Sequence, residues 1–391
     1  MDKLEKLNIV VVGTGVYVCG RGTDGYGTVM PALLEYMRSH DLGDIYIAGT
    51  GSKSINTCRK KVNRLMTDMR VEPRVIYLTV KPKNGYKDLF RNIPRPALCI
   101  AVVPDDIHKD IAIAAMEAGL HALVVKPLAP TLKEVKAIVK AQEKAGLYGA
   151  VEFHKRLDHA NLKLKDVIAR GAIGDPLYFL VEYSQKKSVP YYRFSKWVKQ
   201  TNIFQYLGIH YVDIIYFATK ASPIRVMATG QKGWLVSKGV DTYDAIQAVI
   251  EWRMPSGKTF SSSILTNWID PESSSAVSDQ KIKVIGTMGR FESDQKKRGV
   301  TIVTDSAGVE EPNPYFCSPY GTDPVSYKGY GIDSICQFIA DVADIADGRI
   351  TIKALESLRP TFKESVVPSA VIEAVNKSLK NNGNWVNIAG V

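Results

Sequence analysis

Residues 9–27 read IVVVGTGVYVCGRGTDGYG. The first four are apolar and mostly β-branched, as in a strand buried on both faces. They run into Gly13 and Gly15. After the first strand of a parallel sheet, such a turn lets the backbone approach a pyrophosphate closely. A third glycine would complete the usual pattern at 18, where the chain has Val18; the next is Gly20. The stretch holds six glycines in all. The residues from Tyr17 to Gly27 therefore read as an insertion that lengthens the loop before a helix beginning near Val29. It carries Tyr17, Arg21, Asp24 and Tyr26. Either the loop folds over the nicotinamide half of a dinucleotide or reaches a substrate, with Arg21 meeting a phosphate, or packing alone orders it.

Outward from this stretch, strands and helices alternate. TVMPALLEYMRSH (28–40) has helical spacing, DIYIAGTG (44–51) is a strand and PALCIAVVP (96–104) another. DDIHKDIAIAAMEAG (105–119) reads as a helix with acids in its first turn, and HALVVKP (121–127) as a strand. TLKEVKAIVKAQEKAG (131–146) is a helix that Thr131 caps and Gly146 ends, and LYGAVEF (147–153) closes the series. That alternation predicts a doubly wound parallel sheet over residues 1–150. Beyond it come strand-like runs without helices between them: PLYFLVEYS, PIRVMATGQ, DAIQAVIEWRM and KTFSSSILTNW. They predict a second domain, 151–391, with a large open sheet.

Composition narrows the function. The chain has 391 residues, enough for two cored domains, and 45% apolar residues. No apolar run is long enough to cross a bilayer, and the charged N-terminus passes straight into a strand with no signal peptide visible. Five scattered cysteines without a CxxC pair fit a reduced cytoplasm and argue against a structural zinc site, and no metal is expected. The net charge of +11 is spread along the chain, which favours an anionic small substrate over nucleic acid.

The choice between NAD and NADP should show after the second strand, where an acid would bind the ribose 2′-hydroxyl and repel a 2′-phosphate. The strand ends IAGTGSKS, without an acid. Thr50, Ser52 and Lys53 could accept the extra phosphate, a lean toward NADP.

PDDIHKDIAIAAMEAGLHALVVKPLAPTLKEVKAIVKAQEKAG (104–146) resembles the glucose–fructose oxidoreductase/inositol dehydrogenase/MocA family, with its Pro and His after the fourth strand and its Glu-Lys-Pro tripeptide. HKRLDHANLKLKDVIARGAIGDPLYF (154–179), LGIHYVDIIYF (207–217), VIGTMGRFES (284–293) and PSAVIEAVNKSLKNNGNWVNI (368–388) extend the resemblance over nearly the whole chain. It implies an N-terminal Rossmann domain and a C-terminal α/β domain with a large, mostly antiparallel open sheet. It also implies a homodimer or homotetramer, since such a sheet must cover its apolar side.

The resemblance assigns roles residue by residue. Gly13, Thr14, Gly15, Ser52, Lys53, Pro104 and His108 would hold the cofactor. Lys126, in VKP, would touch both cofactor and substrate hydroxyl; an ammonium there stabilises a developing alkoxide and relays a proton. Val125 departs from the pattern, which has glutamate there. His210 would take the substrate proton. Four residues earlier the family usually has an acid; this chain has Tyr206, one helical turn away. Asp213 could orient the His210 ring. Arg156 could bind an anionic group of the substrate or form a structural ion pair. The basic and aromatic stretch 183–200, with Tyr192, Arg193 and Trp197, suits an anionic sugar, or serves as a solvated loop or a subunit contact.

These residues together imply a cytoplasmic NAD(P)-dependent oxidoreductase acting on a hydroxyl-bearing carbon of a sugar, nucleotide sugar or polyol. The alternatives are a glycoside-cleaving enzyme that oxidises, eliminates and reduces, or a non-catalytic dinucleotide sensor.

Overall fold

The computed structural model describes residues 6–81, 84–193 and 197–391. The chain forms two compact units, Met1–His154 with Tyr315–Ser365, and Lys155–Pro314 with Val366–Val391.

In the first unit β1 (Asn8–Val12) is wholly buried and ends at the glycine turn. A single helical turn, α1 (Val16–Cys19), precedes α2 (Val29–Met37). Then come β2 (Ile45–Gly49), α3 (Ser52–Met69), β3 (Val75–Thr79), α4 (Gly85–Asn92), β4 (Ala97–Ala101), α5 (His108–Glu117), β5 (His121–Val125), α6 (Leu132–Ala145) and β6 (Gly149–Glu152). The six strands lie in the order β3-β2-β1-β4-β5-β6, each paired parallel to its neighbour. Thr131 caps α6 by accepting from the Glu134 amide, and Gly146 ends it with a left-handed φ of 63°, as the sequence predicts.

The second unit starts with α7 (His159–Ala169) and β7 (Pro176–Lys186). A π turn over Phe204–Gly208 leads into α8 (Ile209–Thr219). β8 (Ser222–Gln231), the short α9 (Trp234–Ser237), β9 (Ala245–Arg253), β10 (Thr259–Asp270), β11 (Ser278–Gly286) and β12 (Arg290–Asp294) follow, then a small ribbon of β13 (Ile302–Thr304) and β14 (Gly308–Glu310).

The chain next returns to the first unit with a ribbon of β15 (Ser318–Tyr320) and β16 (Ser326–Lys328), then α10 (Tyr330–Ala346) and α11 (Ile352–Leu358). It ends in the second unit with α12 (Val366–Lys380) and β17 (Val386–Asn387). There the seven-stranded sheet runs β12-β11-β7-β10-β9-β8-β17. All its pairs are antiparallel except β7 with β10.

The return of 315–365 replaces the contiguous boundary expected at 150. Two interactions pull it back. Ile332, Ile335, Phe338, Ile339 and Val342 of α10 are buried in one core with Leu33 of α2 and Tyr148. The edge of β6 also finds partners: the Val151 amide donates to Pro360 and the Phe362 amide to Gly149. An edge strand left bare would keep these groups unpaired. Among the described residues, no helix is long and apolar enough to cross a membrane.

Candidate functional site

In the first unit the ends of β1, β2, β4, β5 and β6 converge on the carboxyl edge of the parallel sheet, where such sheets hold ligands. Gly13 has φ +128°, and a Cβ there would stand 2.0 Å from the Val102 carbonyl oxygen. Only glycine fits this contact between the turn and β4. Gly15 differs: nothing lies within 4 Å of where its Cβ would be. That space above the turn is what a phosphate approaching the amides needs, so the residues fit a dinucleotide. Thr14 is buried and accepts a bond from Arg21 at 3.1 Å.

The further glycines have another purpose. Gly20 ends α1 with φ 67°, and a Cβ on it would collide with the Gly25 carbonyl. The loop is thereby folded back on itself and clamped to α3. Lys61 donates to the carbonyls of Thr23 and Gly25, and the Tyr26 hydroxyl donates to Asp68 at 2.7 Å. Burial and that carboxylate push the Tyr26 phenol up to about 12. Asp24 is exposed. Tyr17 turns toward the sheet edge, its hydroxyl 3.5 Å from His154 Nδ1.

Ser52 and Lys53 are exposed at the start of α3, whose first turn has no acid. Pro104 is exposed at the exit of β4. His108 requires a correction. It is fully buried, with Nδ1 2.7 Å from the Pro127 carbonyl oxygen and Nε2 2.9 Å from that of Val103. Both nitrogens are taken by backbone, so His108 ties the loop after β4 to the loop after β5 instead of meeting a cofactor.

Lys126 lies in the second of those loops. Burial pulls its ammonium down to about 8, while Asp105 and Glu152 act in the opposite direction. Glu152 and His154 went unnoticed in the sequence. Glu152 ends β6, is 3% exposed, accepts from Ser334 of α10 at 2.7 Å and lies 2.9 Å from His154 Nδ1. Rings of Tyr17, Phe316 and Tyr330 surround His154. Burial and the Glu152 carboxylate hold the Tyr17 phenol well above its usual range. The available signal was an acid at the end of a buried strand, a position that apolar residues normally take.

In the second unit His210 is buried in the first turn of α8. Tyr206 precedes it inside the π turn, a widened geometry frequent at functional sites, in place of the expected α-helical turn. Its ring is 5.9 Å from Trp197 and 5.8 Å from the buried Trp268. Of the two expectations for Arg156 the geometry takes the ion pair, and its partner is Asp213. Arg156 is 5% exposed and grips Asp213 with Nε at 2.9 Å and Nη2 at 2.6 Å. Arg156 is thus a structural ion pair, and Asp213 is held by it. Tyr192 is 72% exposed and lines a cavity of about 660 Å³ with Lys187, Tyr191, Trp234 and Lys238, a lining that includes neither Tyr206 nor His210. Arg193 is exposed, and Phe194 to Lys196 of the basic aromatic stretch lie outside the described residues. Among the described residues no cluster of three His, Cys, Asp or Glu could hold a metal.

Comparison with known proteins agrees with this geometry. Residues 46–153 match the family model described as oxidoreductase family, NAD-binding Rossmann fold, and residues 161–292 the GFO/IDH/MocA C-terminal domain. The inositol 2-dehydrogenase of Salmonella typhimurium is 28% identical over 141 residues, 36% of this chain and 40% of that protein. The myo-inositol 2-dehydrogenase of Thermotoga maritima is 27% identical over 233 residues, 58% of this chain and 65% of that protein. The matches thus span less than two thirds of these relatives' length. The structure of scyllo-inositol dehydrogenase from Lactobacillus casei, with bound NAD(H) and scyllo-inositol, superposes with a TM-score of 0.69 at 14% identity, covering 99% of this chain and 100% of that one. GenD2 from gentamicin A biosynthesis, in complex with NAD, gives 0.70 at 17% identity, covering 99% of this chain and 97% of that one. Those two likenesses establish the fold. Because the family matches run through both units and not through the nucleotide-binding sheet alone, the chain belongs to the Gfo/Idh/MocA family of oxidoreductases.

Proposed function

We propose that the protein is an NAD(P)-dependent dehydrogenase acting on a CH–OH group of a sugar or polyol. A bound nicotinamide would accept or return the hydride. The observation that carries the reading is Lys126: a half-buried amine at the ligand-binding edge of the sheet, drawn down to about 8 by desolvation, where it can both give and take a proton near neutral pH. Gly13, Thr14 and Gly15 would seat the pyrophosphate. Lys126 would handle the hydroxyl proton; in the second unit His210 and Tyr206 are the further candidates that the sequence offers for that hydroxyl. Tyr192, Arg193 and Trp197 would recognise the sugar. The names of the inositol dehydrogenases among the relatives support a cyclic polyol as the first substrate class to try.

NADP is favoured over NAD. The α3 N-terminus offers Ser52 and Lys53 with no acid, and a Bacillus subtilis relative, 27% identical over 230 residues, is named an NADP(+)-dependent scyllo-inositol 2-dehydrogenase. A homo-oligomer fits a β7 that exposes Tyr178 and Leu180. A cytoplasmic location fits the free cysteines Cys19, Cys58, Cys99, Cys317 and Cys336. The test is direct. The protein is titrated with NADH and NADPH by nucleotide fluorescence, then assayed with inositols, hexoses and nucleotide sugars for nicotinamide absorbance at 340 nm. Dinucleotide binding with turnover on a polyol or sugar is expected; binding without turnover across that panel would make the protein a sensor.

A further inference from the structure

We propose that Glu152 is a positioning residue for Lys126: the end of β6 supplies, beside Val125, the carboxylate that keeps the proton of the neighbouring lysine in balance. The inference rests on the catalytic role proposed for Lys126, but its first test does not.

Register places the two together. β5 and β6 pair parallel with Val125 opposite Glu152, so the lysine follows the residue that faces this carboxylate across the sheet. Val125 itself contributes no charge. The carboxylate that the strand pair brings to this edge therefore comes from β6.

Glu152 is held from two directions. Ser334 of α10 donates to Oε1 at 2.7 Å, and His154 Nδ1, itself 3.5 Å from the Tyr17 hydroxyl, lies 3.1 Å from Oε1 and 2.9 Å from Oε2. A buried carboxylate with fixed donors is a defined charge, not a mobile one. Ser334 sits in the first turns of α10, so the helix that packs back on this unit brings the donor with it.

The electrostatic consequence falls on Lys126. Burial favours the neutral amine, and Asp105, in the turn after β4, and Glu152 favour the ammonium. A lysine that takes a hydroxyl proton and later returns it needs the two forms close in energy. With burial alone the neutral amine would dominate as so weak a base that it would scarcely take up the hydroxyl proton. A purely structural Glu152, tying α10 to β6, would leave the titration of Lys126 untouched, and this is what separates the two roles.

The experiment measures Lys126 directly in cofactor-free protein. Competitive acetylation with acetic anhydride across pH 6 to 11, read by mass spectrometry of the peptide containing residue 126, gives its midpoint. Glu152→Gln and Glu152→Ser are two neutral replacements, each checked for folding by circular dichroism, and Glu152→Asp restores the charge. Removing a nearby negative charge disfavours the ammonium, so the neutral variants lower the midpoint by about one unit. Glu152→Asp brings it back toward the wild-type value. The pH profile of single-turnover hydride transfer should move with it. A moved midpoint with an unmoved profile would uphold the action of Glu152 on Lys126 and take Lys126 out of the proposed chemistry. A midpoint at the wild-type value in whichever neutral variant folds overturns the inference.

Discussion

Arg156 and Asp213, 57 residues apart in sequence, form a buried bidentate ion pair with Nη2 to Oδ1 at 2.6 Å. Removing one partner of such a pair strands a buried charge. Arg156→Ala should therefore cost about 3 to 5 kcal/mol of stability. Denaturant unfolding measures it. A variant of unchanged stability but raised KM would return Arg156 to substrate binding.

The two glycines of the first turn should fail in different ways. Gly13→Ala drives a methyl into the Val102 carbonyl and should lower the melting temperature. Gly15→Ala meets no protein atom within 4 Å and should spare stability while weakening dinucleotide binding, measured by nucleotide fluorescence. Undiminished affinity in Gly15→Ala would mean that no phosphate approaches there.

Lys53 stands exposed in the first turn of α3. Lys53→Ala is expected to weaken NADPH more than NADH, since a 2′-phosphate loses a cation that a 2′-hydroxyl does not use. Equal losses in parallel titrations would remove Lys53 from cofactor choice.

Lys126 has a depressed pKa, about 8 against 10.5 unfolded. Between those values the unfolded state binds more protons, so stability from this group rises with pH through the window and the charged amine weighs on the fold below it. Lys126→Met should stabilise the protein at pH 7 by about 1 to 3 kcal/mol, a gain that fades as pH climbs from 8 toward 10.5. The same substitution should slow hydride transfer about 100- to 10,000-fold. His210→Ala is expected to slow the same step, and Tyr206→Phe reports whether the phenol takes part. Single-turnover kinetics with preloaded cofactor decide, and near-wild-type rates for His210→Ala would make His210 a packing residue.

Local chemistry made much of the fold legible. The alternation of buried strands and helices, the glycine turn after β1, the Thr131 cap and the Gly146 stop each depend on neighbours a few residues away, and each can be read from a string of letters. The position of Lys126 at a strand end follows in the same way. α3, β3 and α4 carry a weaker signal, although α3 runs over 18 residues and holds the glycine loop. Its pattern is polar enough to pass for surface.

What the sequence by itself determined is thus the class of each unit and the edge of the sheet where chemistry would sit. Tertiary structure alone decided which polar side chains are spent on holding each unit together. His108 is locked between two carbonyls, Arg156 is consumed by Asp213, and Glu152 meets Ser334 across 182 residues of chain. The reason is physical. A strand or a cap is set by short-range sterics and periodicity, whereas a buried polar group takes whichever partner the packing of distant segments delivers. Here the return of α10 delivered one to β6 that nothing near residue 152 announces.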